Sequence, residues 1–422
     1  MKKHALSATM CFILVLSIMI TLSGCANTAT DTDLMSGMEA NTVTTDIDIS
    51  GENSDLITDF AVRLFQQCAD DNKNTLISPL SIIRALAMTA NGADGNTLSQ
   101  MEEVFGIPVS ELNEYLYAYT RELPAGDKYK LSLANSIWLK DDESFTVEPN
   151  FLQTNANWYG AGLFKVPFNN QTLRDINNWV NENTDGMIKD ILDQIPEEAV
   201  MYLVNALAFD AEWENIYYDY QVQEGVFTKE DGSKQQVELM RSTEHQYLSD
   251  EDAIGFIKYY ADKKYAFAAL LPNEGISVTD YVKSLTGEKL ASMLADPLNV
   301  KVDAAIPKFR SEYKTQLNDI LKAMGMTDAF DYTLSDFSGI GYVANYNLYI
   351  SRVLHKTFIA VDEKGTKAGA ATVVEVKKDG EAMMEPEEIK TVYLDRPFVY
   401  LLIDCEANLP VFIGTVMDIN NK

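Results

Sequence analysis

The sequence predicts an α+β fold, in which helices and strands occupy separate parts of the chain. Segments with apolar residues at helical spacing are concentrated in the first half, and apolar runs typical of strands are concentrated in the second half. The two kinds of segment do not alternate as βα units, so a parallel α/β architecture is not expected. Since 46% of the 422 residues are hydrophobic, the chain can bury one large core or two smaller ones.

The helix predictions rest on apolar residues that recur on one face. Ser78 and Pro79 precede one such segment as a cap and first turn, and Gly106 and Pro108 end another. The predicted helices are Asp55–Asp70, Leu80–Ala90, Thr97–Phe105, Leu173–Gly186 and Leu317–Met324.

The strand predictions rest on apolar runs that alternate at period two or are apolar throughout. An alternating run is expected to bury one face, and a continuous run is typical of a strand buried on both faces. The predicted strands are Leu131–Leu139, Val200–Phe209, Tyr265–Leu271, Lys301–Pro307 and Leu348–Val361, followed by a closing hairpin of Phe398–Ile403 and Val411–Val416.

The segment Glu363–Val376 is patterned as a strand but has weak strand propensity. At period two, one face carries only small or uncharged side chains, whereas Lys367 and Glu375 fall on the other face. The uncharged face consists of Thr366, Ala368, Ala370, Thr372, Val374 and Val376. Because Gly365, Gly369 and the alanines disfavour a strand, the pattern indicates a loop that can become one.

Composition and motif content exclude several function classes. The formal charge of −29 and the pI of about 4.4 argue against nucleic acid and against anionic membranes as electrostatic partners. The sequence has no Gly-x-Ser-x-Gly elbow, no His-Glu-x-x-His motif, no Walker loop and no cysteine spacing for zinc. We therefore expect neither an enzyme nor a bound cofactor or metal. Cys68 and Cys405 could pair, but their apolar surroundings favour buried thiols.

The N-terminus is typical of an export signal. Lys2 and Lys3 precede an apolar run, Met10–Leu22, that is too short for an ordinary spanning helix. Leu22-Ser23-Gly24-Cys25 resembles a bacterial lipobox, which implies removal of residues 1–24 and lipidation of Cys25; a plain signal peptide with a chance cysteine is the alternative. Residues 25–54 are polar and predict a flexible tether. We expect a cell-surface lipoprotein, anchored at Cys25 or shed from it.

A series of short motifs runs through the rest of the chain. They are Asn74–Ile82, Asn91–Thr97, Ile176–Ile188, Leu203–Trp213, Ala269–Pro272, Ile306–Phe309, Met324–Met326, Asp336–Ile340, Asp395–Phe398 and Phe412–Gly414. In this order they resemble the serpin family over about residues 55–420, and a serpin domain would span 55–422.

The resemblance implies three β-sheets with about eight or nine helices and an exposed reactive-centre loop, here about residues 363–394. It further implies a monomeric inhibitor of serine proteases: the loop is cleaved, and the acyl-enzyme is trapped when the loop inserts into the central sheet. Small uncharged residues favour insertion, because large or charged ones would clash or lose solvation. A non-inhibitory serpin that binds other molecules, and an inhibitor of cysteine proteases, are the alternatives.

The resemblance also assigns residues to the parts of this mechanism. The hinge of the loop would comprise Glu363, Gly365, Thr366, Ala368, Ala370 and Thr372. A latch that controls sheet opening would comprise Ser78, Asn205, Trp213 and His355. Loss of a latch partner is expected to cost about 1–3 kcal/mol, since it leaves a buried polar group unpaired.

The cleaved bond is the least determined part of the prediction. Family geometry places it about seventeen residues after Glu363, between Asp379 and Gly380, but the loop is longer than is common in the family. The candidates are Lys378, Asp379, Gly380, Met383 and Met384. A lysine would favour trypsin-like proteases, an aspartate rarer acidic-specific ones, and a methionine elastase- or chymotrypsin-like ones; subtilisin-like proteases are a further possibility.

Overall fold

Nine α-helices lie in the part of the chain that the computed structural model describes, residues 33–121, 123, 129–344, 346–366 and 388–420. They are α1 (Glu52–Cys68), α2 (Pro79–Ala90), α3 (Gly95–Phe105), α4 (Val109–Arg121), α5 (Pro149–Trp158), α6 (Asn170–Asn183), α7 (Val278–Ser284), α8 (Gly287–Ala295) and α9 (Asn318–Ala323). Six of them precede residue 184, so the predicted separation of helices from strands is confirmed.

The central sheet has six strands in the order β11, β13, β14, β5, β2, β4. These are β2 (Tyr129–Lys140), β4 (Gly162–Val166), β5 (Met201–Glu212), β11 (Phe309–Gln316), β13 (Arg352–Val361) and the two-residue β14 (Gly365–Thr366). Strand β14 separates β5 from β13 only at one end of the sheet. Over the rest of their length β5 and β13 pair directly and in parallel, from Tyr202 opposite Arg352 to Ala208 opposite Phe358.

A second sheet of nine strands packs behind the first. Its order is β1, β17, β16, β9, β8, β7, β10, β15, and β6 pairs with β7. The strands are β1 (Thr75–Ile77), β6 (Val222–Thr228), β7 (Lys234–Ser249), β8 (Ala253–Tyr259), β9 (Tyr265–Pro272), β10 (Leu298–Pro307), β15 (Ile389–Tyr393), β16 (Phe398–Asp404) and β17 (Leu409–Val416). The short strands β3 (Thr146–Val147) and β12 (Gly341–Tyr342) form a third sheet, as expected.

Strand β5 is mostly apolar because it is buried on both faces. Leu203 and Leu207 face the main core, where the wholly buried helix α2 lies. Tyr202, Val204 and Ala206 face a smaller core under α6. The continuous run in the sequence therefore reports a central strand covered by helices on both sides.

Several elements were missed by the sequence prediction. Helix α4 buries Leu112, Tyr115, Leu116 and Tyr119, a helical spacing that was visible in the sequence. Strand β7 buries only a few apolar side chains, Val237, Leu239, Met240, Tyr247 and Leu248, and the polar residues around them leave no apolar run. The predicted loop range 363–394 was too wide, since β14 and β15 occupy its two ends.

The predicted flexible tether through Ser54 was wrong for residues 33–54. Helix α1 begins at Glu52, and residues 33–50, the N-terminal strap, lie along the body. Leu34 donates from its backbone N–H to Leu163 O at 2.9 Å, and the Tyr115 hydroxyl donates to Ile49 O at 2.9 Å. Ile49 is buried, and three further apolar side chains, Leu34, Met35 and Ile47, pack against the core. These sparse apolar residues suffice because the body supplies the other half of the contact.

We expect Ile49→Ala to lower the free energy of unfolding of the native state by about 2 kcal/mol, because it removes buried methyl groups from the strap contact. Thr44→Ala, at an exposed position of the same strap, should change it by less than about 0.5 kcal/mol. Urea-induced unfolding followed by tryptophan fluorescence measures both. Equal midpoints for the two variants would mean that the strap does not stabilise the body.

The two cysteines of the folded body are not joined to each other. Cys68 and Cys405 are both free thiols, so the possible disulfide does not form. Burial raises the pKa of each thiol to about 12.

Within the described residues, no helix is long and apolar enough to cross a membrane.

Candidate functional site

The candidate site is the place where the hinge of the loop enters the central sheet. The two residues of β14 lie between the ends of β5 and β13: Thr366 is opposite Ala211 on one side and Val361 on the other. The Thr366 side chain is fully buried, and its hydroxyl lies 2.6 Å from the hydroxyl of Tyr260. The sheet is therefore already separated at this end by one short antiparallel strand.

Gly365 is required by the close approach of β14 to β5. A Cβ atom at this position would lie 2.0 Å from the carbonyl oxygen of Ala211, which real Cβ atoms do not tolerate. The glycine that weakened the strand prediction thus allows the hinge to enter the sheet.

Trp213 holds the turn that precedes β14. Its indole stacks on Tyr260 at 4.3 Å between ring centroids, and its Nε1–H donates to Asp362 O at 2.9 Å. Its backbone N–H donates to Lys364 O at 2.9 Å. Trp213 lies apart from the other three predicted latch residues: it follows Asn205 by eight residues of extended chain, a distance of roughly 26 Å.

A buried cation lies behind this tryptophan. The Lys258 ammonium is 3.0 Å from the Glu244 carboxylate and 4.4 Å from the ring centroid of Tyr217. The same ammonium donates to Asn215 O at 3.2 Å. Neither Lys258 nor Tyr260 was predicted as a site residue; a lysine inside the apolar run of β8 was the available signal.

Glu363 anchors the surface side of the hinge. The Lys308 ammonium is 2.9 Å from the Glu363 carboxylate and 3.3 Å from that of Glu238. The hydrogen bond from Lys308 lowers the pKa of Glu363. Because both partners are partly exposed, we expect the pair to contribute only about 0–1 kcal/mol.

The latch joins β5, β13 and α2 at the middle of the sheet. Asn205 lies directly opposite His355 in the strand register, and both are fully buried. The Ser78 backbone N–H donates to Nε2 of His355 at 3.2 Å. Nε2 must therefore be unprotonated, so Nδ1–H donates to Asn205 Oδ1 at 2.5 Å. The structure thus brings together three of the four residues predicted for the latch.

Two further residues complete the network and were not predicted. The Asn205 side-chain amide donates to Ser81 Oγ at 2.5 Å and to Asn135 Oδ1 at 2.8 Å. Ser81 follows Ser78 by one helical turn, and Asn135 is a polar residue inside the apolar strand β2. Both positions could have been identified, since a polar side chain on a buried face needs a partner.

His355 should make stability depend on pH. Burial lowers its pKa to about 3, whereas an unfolded histidine titrates near 6.5. Between these values the unfolded state binds more protons, so stability falls with decreasing pH by up to about 1.4 kcal/mol per unit.

We expect this pH dependence to be weaker in His355→Asn and unchanged in His245→Asn, which alters an exposed histidine. Urea midpoints measured from pH 7 to pH 4 provide the test. A parallel pH dependence in the wild type and His355→Asn would contradict the assignment of a neutral buried imidazole.

The remaining predicted site residues lie outside the described part of the chain. They are the hinge positions Ala368, Ala370 and Thr372, the bond candidates Lys378, Asp379, Gly380, Met383 and Met384, and the lipidation site Cys25. Among the described residues, no group of His, Cys, Asp or Glu side chains is arranged to hold a metal ion.

The sequence comparisons support a relationship over most of the chain. Residues 55–419 match the family model Serpin (serine protease inhibitor). A serpin-like protein of Thermococcus kodakarensis is 30% identical over 369 residues, which cover 86% of this chain and 84% of that protein. Serpin B8 of Homo sapiens is 30% identical over 369 residues, which cover 84% of this chain and 96% of the human protein.

Two solved structures of the thermophilic serpin tengpin resemble the model. The native state has a TM-score of 0.86 at 48% identity, covering 92% of this chain and 99% of tengpin. The latent state has a TM-score of 0.77 at 45% identity, covering 91% and 100%. The described conformation is therefore more similar to the native state than to the latent state.

Proposed function

The chain belongs to the serpin family, and from that premise we propose that it inhibits serine proteases by inserting its cleaved loop into the central sheet. The observation that carries the proposal is the position of β14. Its two residues already lie between β5 and β13, so insertion would extend an existing strand rather than start a new one. Extension is easier than initiation, because the first residues have already separated the sheet.

The strand register gives the proposal a specific geometry. If β14 continued beyond Thr366 in the same antiparallel register, residues 369 to 375 would lie opposite residues 208 to 202 of β5. On the other side they would lie opposite residues 358 to 352 of β13. Thr372 would then lie level with both Asn205 and His355. Neighbouring strands are about 4.8 Å apart, so an inserted strand would break the direct latch bond between these two residues. The Thr372 hydroxyl could bond to both in its place.

The composition of the loop agrees with this geometry. In an inserted strand, the residues at period two from the buried Thr366 would share its face; they are Ala368, Ala370, Thr372, Val374 and Val376. None carries a charge, and each is small enough to enter a sheet covered on both faces. The odd-numbered Lys367 and Glu375 would point to the other face. A loop that only bound a partner would not need this alternation.

A panel of proteases tests the proposed function. We would incubate residues 33–422 with trypsin, chymotrypsin, elastase, subtilisin and a papain-like cysteine protease, and analyse the products by denaturing gel and mass spectrometry. We expect a covalent complex with at least one serine protease, and the released C-terminal peptide identifies the cleaved bond. Cleavage by every protease without any complex would contradict inhibition and favour a non-inhibitory serpin.

We also propose that the inhibitor is held at the cell surface by lipid on Cys25. Because the strap begins at Asp33, seven residues, 26–32, separate it from Cys25, and the eight steps between Cα atoms limit the spacer to roughly 28 Å. Mass spectrometry of the membrane-bound protein should find a lipid-modified Cys25 at the mature N-terminus, and Cys25→Ser should release the protein. A secreted protein with an unmodified Cys25 would contradict the anchor.

A further inference from the structure

Two stacked tyrosines are exposed beside the hinge. Tyr218 and Tyr220, the tyrosine pair, flank Asp219 in a short 3-10 turn, Asp219–Gln221. Their ring centroids are 5.9 Å apart with an interplanar angle of 5°. Tyr220 is 75% exposed and Tyr218 is 39% exposed. A stacked aromatic pair in solvent leaves apolar area uncovered.

The turn that carries the tyrosine pair contacts the stem from which the loop leaves. Tyr217, the residue before the pair, donates its backbone N–H to Glu363 O at 2.8 Å. Tyr217 is itself buried against Lys258, so this contact is fixed to the body. The pair therefore emerges directly beside the first residues of the loop.

The same turn is also connected to β15, the strand that follows the loop. Gln221 donates through its side-chain amide to Arg241 O at 3.1 Å. The Arg241 guanidinium lies 4.6 Å from the ring centroid of Tyr393, which belongs to β15. Ile389, the first residue of β15, is 55% exposed. The tyrosine pair is thus held beside the first residues of the loop and is linked through Arg241 to the C-terminal end of β15, so a protein that binds the start of the loop comes close to this surface.

We propose that the tyrosine pair is a docking surface for the target protease, which contacts it with apolar and basic side chains around its active-site cleft. This inference rests on the proposed function. Tyrosines provide large contact areas at low cost in side-chain entropy and are enriched in protein interfaces. The adjacent Asp219 and the net charge of −29 favour a basic partner surface. The pair would accelerate the first encounter and leave the later insertion step unchanged.

The test separates encounter from insertion. With a protease that forms the covalent complex, we would measure the association rate constant and the stoichiometry of inhibition for Tyr220→Ala and for the double variant Tyr218→Ala/Tyr220→Ala. We expect the double variant to associate about tenfold more slowly at unchanged stoichiometry. Tyr220→Phe should retain most of the rate. Tyr342→Ala is the matched control: Tyr342 is 68% exposed, but it lies beyond the opposite end of the central sheet.

A second measurement uses the same protease with its catalytic serine replaced by alanine. The dissociation constant of this non-covalent complex should rise by a similar factor in the double variant. Equal association rates for the wild type and the double variant, or an equal loss in Tyr342→Ala, would overturn the proposal while leaving inhibition intact. If the wild type formed no covalent complex with any protease, the proposed function and this inference would fail together.

Discussion

Thr366→Arg is expected to convert the protein from an inhibitor into a substrate. Thr366 is fully buried between β5 and β13, where its hydroxyl contacts only a tyrosine hydroxyl among the described residues. A guanidinium cannot occupy this position without an unpaired buried charge, which costs several kcal/mol. The hinge would be expelled from the sheet, and every further step of insertion would be blocked at its start.

The predicted result is that a smaller fraction of the acyl-enzyme is trapped as a stable complex and a larger fraction is hydrolysed, which releases active protease. In Thr366→Arg, we expect the stoichiometry of inhibition to rise more than about tenfold, with the loop still cleaved at the same bond. Thr366→Ser retains a small hydroxyl side chain and should inhibit like the wild type. Undiminished complex formation by Thr366→Arg would mean that the loop does not need to enter the sheet at this point.

Cleavage of the loop should increase thermal stability strongly. In the proposed geometry, residues 369–375 replace one parallel pairing of β5 with β13 by two antiparallel pairings. About seven additional backbone hydrogen bonds would form, each worth roughly 0.5–1.5 kcal/mol net. Burial of Ala370, Thr372 and Val374 adds to this gain. Because 1 kcal/mol corresponds to about 2–4 °C for a domain of moderate size, we expect the midpoint to rise by at least about 15 °C.

Thr366→Arg provides the matched comparison for this experiment. Cleaved Thr366→Arg should not show the increase, because its loop cannot enter the sheet, although the same bond is broken. Differential scanning calorimetry of intact and cleaved forms of both proteins measures the effect. A wild-type midpoint that stayed constant or fell after cleavage would contradict insertion and favour a serpin with a fixed loop.

The sequence predicted those elements whose local pattern and tertiary surroundings agree. Strand β5 was identifiable because burial on both faces leaves a nearly continuous apolar run, and α2 because Ser78 and Pro79 precede a segment with apolar residues at helical spacing. The α+β order follows from such elements, whereas the three sheets were expected only from the resemblance to the serpin family. Strand β7 was missed because its few buried apolar residues lie among polar ones.

Three features that the sequence prediction missed or misplaced have a common origin. The N-terminal strap was interpreted as a tether because its composition is polar, yet Ile49 is buried by residues far away in the sequence. Trp213 was grouped with the latch because both belong to sheet opening, but they lie at different heights of the same sheet. Asn135 joins the latch only through pairing of β2 with β5. Contacts of this kind depend on strand register, which a single sequence does not specify.

The most direct test of the central claim is a crystal structure of the protein after cleavage of its loop. Insertion predicts a new antiparallel strand between β5 and β13, with residues 369–375 opposite 202–208 and the Thr372 side chain between Asn205 and His355. The hydrogen bond from His355 to Asn205 should then be absent. A cleaved structure in which β5 and β13 remain paired, with His355 still bonded to Asn205, would contradict loop insertion.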